Sequence, residues 1–379
     1  MNLEVVLEDF LAATSDVRGE DPRLSELAPR LLQLSKRQPR ATLDHALRRL
    51  LSAVNARHPQ VAGFVALMGG CLVEEGADPD VLVKALVPRV NEALTVAARA
   101  CEAVAGLAEA DEEDEREATL TIGDRLISAR EWEAFVDKDP SSAQSLLALD
   151  NFCQALIAAL TRLPDTLKSS AVQALAVPLV QVSHASHFAH FLSRLLRVPM
   201  NEEWFIIDPK ARRGFALEVS GVANAFQVYA LVHAALCGAP NSLTHWAPPV
   251  PRPAPPAAVL DVANGRGPQE APGSYVPPFT LFRWTVITEV GRLPGSGDYR
   301  EWYSNSAVPA ELARFGDARI GVLGHLGINM ELGIAREFSA LAASVKLTRE
   351  LQRRHVVELL HGFSSTPGPG HPVPGVGWP

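Results

Sequence analysis

The sequence predicts a mainly α protein, with an N-terminal multi-helix body followed by a smaller α+β region of short antiparallel strands. Three observations lead there. Alanine and leucine carry most of a hydrophobic fraction of 47%, against only 6% aromatic residues, and such a composition favours helix. Up to about residue 200, apolar residues recur at helical spacing between prolines. Beyond that point short segments rich in aromatic and β-branched residues take over, the composition of strands. At 379 residues the chain can bury the cores of two or three domains.

Residues 1–108 read as a first helical region. Leu24, Leu27, Leu31 and Leu34 keep one helix face apolar before Pro39, and Leu43, Leu47, Leu50 and Val54 do so before Pro59. Val61, Phe64, Val65, Met68 and Leu72 continue the pattern to Gly76, a natural C-terminal stop. Asp78 and Pro79 then supply an N-cap and a proline for the first helical position, and Pro88 is expected to kink or divide the helix that follows.

Residues 109–127 form an acidic linker and a β-hairpin. The run 109–117 holds seven acids against Arg116 and reads as a solvated linker, the alternative being a docking tail for a basic partner. Gly123 and Asp124 form the two-residue turn of a hairpin over 119–127. Residues 128–200 complete the helical body, with helices over 141–162, 165–177 and 179–197 parted by Pro164, Pro178 and Pro199.

The α+β region spans 201–365. Segments 204–208 and 214–219 make a hairpin whose turn contains Lys210, Arg212 and Arg213. A helix over 223–237 places Val222, Phe226, Tyr229, His233 and Leu236 on one face. The proline-rich stretch 238–278 reads as an extended crossover outside the core, or alternatively as a ligand for an aromatic groove. Further strands or buried segments are expected at 281–290, 318–323 and 342–347, a last helix at 348–361, and a disordered tail at 366–379.

Charge and cysteine usage exclude several classes. The formal net charge is -8, of which the run 109–117 supplies -6, so the remaining surface is near neutral and offers nucleic acid no basic stripe. Cys71, Cys101, Cys153 and Cys237 lie far apart, form no Cys-x-x-Cys pair and sit in apolar helical sequence, as reduced buried thiols do. The N-terminus lacks the basic start of a signal peptide, and no uninterrupted apolar stretch reaches the ~18 residues of a membrane span; the best candidate, 171–182, contains Gln173, Pro178 and Gln181. A soluble cytoplasmic protein with no membrane partner is expected.

Several segments resemble an uncharacterised family of hypothetical proteins from GC-rich bacteria. They are Gly69 and Gly70 leading to the Gly-Ala-Asp-Pro turn at 76–79, the strand ending near Pro209, the glycine-led strand 214–219, and the helix start carrying Asn224, Phe226 and Gln227. The family pattern there runs Asp-Asn-Phe-Gln-Leu-His, whereas this chain has Asn-Ala-Phe-Gln-Val-Tyr at 224–229, displacing the polar residues by one place. Segments 319–324 and 335–347 are also similar. The resemblance implies a bacterial protein and carries no activity with it.

Among constellations that carry chemistry, His184, His187 and His190 stand at three-residue spacing in a predicted helix. The pair His184 and His187 can share one metal ion, while His190 is nearly two turns from His184. Phe188, Phe191, Leu192, Leu195 and Leu196 define the apolar face and place His184 near its centre, which favours a buried histidine over a ligand. Residues 321–327 are glycine-rich but lack both the P-loop ending and the dinucleotide-turn spacing, so a glycine-permitted bend is expected. His233 reads as a core histidine, and Trp302, Tyr303 and Asn305 as anchors or as the lining of a surface pocket. No Gly-x-Ser-x-Gly elbow is present. Lys210, Arg212 and Arg213 at the hairpin tip, with Asn224 and Gln227 in the signature helix, are the candidates for contact with a partner.

These readings favour a non-enzymatic interaction or regulatory protein whose partner is another protein: a scaffold, adaptor, inhibitor or conflict-system component with no cofactor. The alternative is a metal-dependent enzyme built on His184 and His187.

Overall fold

The computed structural model of the chain describes residues 2–15, 21–55, 58–105, 118–122, 125–209, 211–237, 250, 253–282, 307–312, 314–315, 317–324 and 331–364. It is mainly α with an α+β C-terminal part, and it divides into two compact units, Met1–Leu196 and Arg197–Pro379.

The first unit opens with α1 (Leu3–Ala13), where the Asn2 side chain accepts from the Val5 N–H at 3.0 Å and so satisfies a donor that the helix leaves open. Then come α2 (Leu24–Ser35), α3 (Arg40–Val54), α4 (Pro59–Glu74) and α5 (Pro79–Ala105), with Leu31, Leu43, Leu47, Leu50 and Leu72 all buried. Of the two expectations for Pro88, a kink or a division, division does not occur, and α5 runs on through the proline. Leu82, Leu86, Val90, Leu94 and Ala97 keep one buried stripe on both sides of the proline, and that packing outweighs the hydrogen bond the ring removes.

β1 (Ala118–Ile122) and β2 (Arg125–Ser128) pair antiparallel, with Ile122 opposite Arg125 as a two-residue turn requires. The acidic run 109–117 lies outside the described residues. α6 (Ala129–Lys138) is capped by Ser128, and α7 (Pro140–Leu160) by Asp139, whose carboxylate accepts from the Ser142 N–H at 3.2 Å and from its hydroxyl at 2.6 Å.

The two continuous helices expected after Pro164 are instead three short ones, α8 (Ser170–Gln173), α9 (Ala176–Val182) and α10 (His187–Leu196). Pro178 sits in the first turn of α9, where a proline costs little. The break before α10 has its own cause. Asp150 on α7 accepts from the Ser186 hydroxyl at 2.6 Å and from the Phe188 N–H at 3.1 Å, and Ser186 Oγ accepts from the Ala189 N–H, so side chains begin a new helix there.

α7 is the axis of this unit, with α4, α5 and α10 packed against it. Gly63 and Gly70 permit the approach of α4: an added Cβ would stand 3.0 Å from the Ala148 carbonyl oxygen at one and 2.9 Å from Ala155 Cα at the other. Among the described residues α7, rather than the segment 171–182, is the one helix long and apolar enough to cross a membrane, and much of its surface is spent on these neighbours.

The second unit contains β3 (Glu202–Asp208), β4 (Arg213–Ser220), α11 (Ala225–Cys237), α12 (Ala257–Asn264), β5 (Glu270–Tyr275), β6 (Thr280–Phe282), β7 (Arg314–Phe315), β8 (Ala318–Gly324), β9 (Leu332–Ala335), β10 (Ser344–Glu350) and α13 (Arg353–Ser364). The main sheet runs β10-β4-β3-β8-β6, with β7 on β8, and only the β3–β8 pair is parallel. β5 and β9 form a separate antiparallel pair.

Strand alternation sends Trp204, Ile206, Phe215, Leu217 and Val219 to one face, where α11 and α12 build the larger core. Phe205, Ile207, Ala216, Ile320 and Val322 go to the other, covered by Leu351, Val356 and Leu359 around α13. With helices on both faces, the strands read as apolar runs. α11 is correspondingly buried nearly all round, not on the single face that its spacing suggested.

The stretch 238–278 is not an extended crossover alone. It contains α12 and β5, and Val250, Val259, Val262, Ala263 and Tyr275 belong to the core. Its prolines punctuate rather than preclude structure: Pro256 precedes the first residue of α12, and Gly265 at φ 85° ends it. The last helix begins later than expected, because β10 continues to Glu350. Thr348 is the extra residue of a bulge in β10, its hydroxyl donating to the Ala216 carbonyl at 2.9 Å.

Three arginines lock the second unit. Arg319 Nε meets Glu202 at 2.8 Å and its Nη1 donates to the Ala310 and Leu312 carbonyls, while Arg314 shares Glu202 at 2.6 Å. Burial pulls the Arg319 guanidinium below its usual value and Glu202 opposes that. Arg336, only 6% exposed, pairs with no acid among the described residues. Its guanidinium donates to the carbonyls of Val262, Gly267, Pro268 and Ser339 at 2.9–3.2 Å, joining the end of α12 to the segment after β9, and burial lowers its pKa as well.

Candidate interaction surface

At one end of the main sheet the β3–β4 turn meets the start of α13. Asp208 accepts from the Ala211 N–H at 2.9 Å across the turn, and Arg212 follows in the left-handed region at φ 51°. Arg213 then enters β4; its Nε donates to Glu350 at 2.7 Å and its guanidinium lies 5.1 Å from the Phe215 ring centroid. The Leu351 N–H donates to the Gly214 carbonyl at 2.8 Å, which ties the first turn of α13 beside the hairpin turn.

Between β10 and α13 an open cleft of about 380 Å³ is lined by Arg349, Glu350, Leu351, Gln352, Arg354, His355 and Glu358. Arg349 pairs with Glu203 at 2.7 Å, and His355 stands edge-on to Phe205 at 5.7 Å between ring centroids. Arg212, Arg353 and Arg354 are exposed and make no ion pair among the described residues. Arg353 and Arg354 add two cations to the N-terminal end of a helix, where acids would complement the dipole. A guanidinium of this kind can grip a carboxylate through two N–H groups at once.

Of the partner-contact candidates, Arg212 and Arg213 belong to this corner, and Lys210 lies outside the described residues. Asn224 and Gln227 work elsewhere, inside the fold. Asn224 Oδ1 accepts from the Gln227 N–H at 3.0 Å, capping α11, and its Nδ2 donates to the Ala335 carbonyl. Gln227, 1% exposed, accepts from the Ala223 N–H and donates to the Ala263 carbonyl, both at 2.9 Å. The Asn-Ala-Phe-Gln segment is thus a variant capping box that also fastens α11 to α12 and β9.

The histidine row does not lie on one helix. His184 falls in the turn after α9, His187 is the first residue of α10, and both are exposed, so the placement of His184 at the centre of an apolar face is overturned by the Asp150 and Ser186 cap. His187 packs against Phe191, ring centroids 4.7 Å apart. Among the described residues no group of three or more His, Cys, Asp or Glu side chains is arranged to hold a metal ion.

Gly321 and Gly324 lie within β8, not in a bend, and residues 325–330 are outside the described set, as are Trp302, Tyr303 and Asn305. His233 is a core histidine, its Nδ1 2.7 Å from the Tyr275 hydroxyl and its ring edge-on to Phe279. Burial, and secondarily Cys237, pushes the Tyr275 phenol upward. All four cysteines are free, with Cys71 half-buried and the others buried. The Arg353-Arg354 pair was legible as two adjacent cations, but its position beside the hairpin turn depends on β10 pairing with β4, which local sequence does not encode.

The fold defines a mainly α protein with an α+β unit that gathers five arginines at one end of its main sheet. Comparison with protein-family models, with curated proteins and with solved structures finds no match to this chain.

Proposed function

We propose that this chain is a non-enzymatic interaction or regulatory protein of the bacterial cytoplasm, a scaffold, adaptor, inhibitor or conflict-system component that acts by binding another protein. The observation that carries this reading is the corner of the second unit where Arg212, Arg353 and Arg354 project without ion-pair partners among the described residues. Elsewhere the polar groups Asn224, Gln227 and Arg336 are held by the fold itself. Arginine is enriched at protein interfaces because its planar fork binds with little loss of freedom and its stem adds apolar contact.

The test is affinity purification of the full chain from its native host, followed by quantitative mass spectrometry. A protein recovered in near-stoichiometric amount, and absent from a mock purification, supports the reading. Recovery of the chain alone, across several growth conditions, refutes it.

A further inference from the structure

The partner surface has a definite chemistry. We propose that the corner formed by the β3–β4 turn, the end of β10 and the first turn of α13 docks a short acidic segment of a partner protein, with Arg353, Arg354 and Arg212 taking its carboxylates. The proposal rests on the interaction reading above and sharpens it.

Charge complementarity selects the occupant. Five arginines, Arg212, Arg213, Arg349, Arg353 and Arg354, gather at this end of the sheet. Two are engaged: Arg213 holds Glu350 and Arg349 holds Glu203, which positions them and leaves their positive charge largely neutralised. The other three are the groups available to a ligand. The adjoining cleft of about 380 Å³ lies within the range of small-ligand sites, enough for a few side chains and not for a folded domain.

The same cleft argues against a nucleic acid. Glu358 lines it and has no ion-pair partner among the described residues, so a continuous phosphate chain passing through would meet a carboxylate that no arginine offsets. A peptide avoids that cost, since it can present carboxylates only opposite the free arginines and neutral or basic side chains opposite Glu358.

Fluorescence anisotropy of rhodamine-labelled hexaglutamate with the full chain tests this, with hexaglutamine as the uncharged control. Binding of hexaglutamate alone, weakened by salt, is expected. The Arg353→Glu/Arg354→Glu double variant should weaken it by about tenfold or more, whereas Arg266→Glu, at an exposed arginine paired with Asp261, should leave it within about twofold. Circular dichroism of each variant checks that it is folded.

No binding by the wild-type chain, or equal binding by the double variant, overturns the proposal. So does tighter binding of an oligothymidylate that the same double variant abolishes, which would assign the corner to nucleic acid. A partner recovered equally by wild type and double variant would sink the docking site while leaving the interaction reading intact. Failure to recover any partner would strike that reading instead.

Discussion

Replacing Arg336 by methionine keeps the length and much of the volume of the side chain but removes its donors. In the second unit, the backbone carbonyl oxygens of Gly267, Pro268 and Ser339 then lose the group that serves them, while that of Val262 keeps the Gly265 N–H at 3.3 Å. A buried acceptor left unsatisfied costs about 1–3 kcal/mol, so even at the low end of that range the loss for three acceptors is about 3 kcal/mol. That would be a large share of a typical domain stability of about 5–15 kcal/mol. Arg336→Lys retains a charge but not the planar fork, and about half the loss is expected.

Because the chain has two units, one global transition is not assured, and the appropriate assay resolves each unit. Hydrogen exchange read by mass spectrometry would compare amides of α11, α12 and β9 with those of α7 as an internal reference. Protection should fall in the second unit and hold in the first. A change below about 1 kcal/mol in the protection of α12 would refute the reasoning, since it would mean that water or a small backbone shift satisfies those carbonyls at no cost.

Four further outcomes follow from the packing. Asn224→Ala should cost about 1–2 kcal/mol by uncapping α11, and Gln227→Leu at least as much by stranding the Ala223 N–H and the Ala263 carbonyl, both read by urea unfolding. Gly221→Ala should destabilise by more than about 2 kcal/mol, because φ is 69° and the new Cβ would fall on the Ala342 carbonyl; a thermal midpoint equal to wild type would contradict this. Burial raises the Cys101 thiol to about 11 and the Cys153 thiol further still, so Ellman's reagent at neutral pH should reach Cys71 first and the other three only on unfolding. Ser142 holds the Asp139 carboxyl below its ordinary value, so the cap contributes fully above the unfolded value of about 3.9 and is lost as pH falls below it; the Ser142 amide resonance should move in that acid range, and Asp139→Asn should abolish the movement.

Much of the architecture could be read from spacing and punctuation. The leucine rows of α2 and α3, the Asp78-Pro79 start of α5 and the two-residue turn between β1 and β2 are local signals, and local geometry obeys them. The failures share one physical cause: distant contacts overrode local preference. Pro88 is carried through α5 by buried leucines and valines on both sides. Asp150, 36 residues before Ser186, restarts the helix and separates His184 from His187. The prolines around α12 looked like those of a linker because the residues it buries, Val259 and Val262, gain their cover from other elements, α11, β9 and β5. At the candidate surface, Arg212 and Arg213 were visible as a basic turn, whereas Arg353 and Arg354 join them only through the register of β10 on β4.

The parallel pairing of β3 with β8 has a cost during synthesis. Residues 202–208 leave the ribosome more than a hundred residues before 318–324, and the β10 strand that covers the other side of the hairpin comes later still. At translation speeds of about 5–20 residues per second, the β3–β4 hairpin waits roughly 6–25 s with Trp204, Phe205, Ile206 and Ile207 lacking their final neighbours. A holdase chaperone binding the nascent chain in that interval would shelter one specific seven-residue strand, and slowing translation between codons 209 and 318 should raise the aggregated fraction more than slowing it anywhere in the helical half.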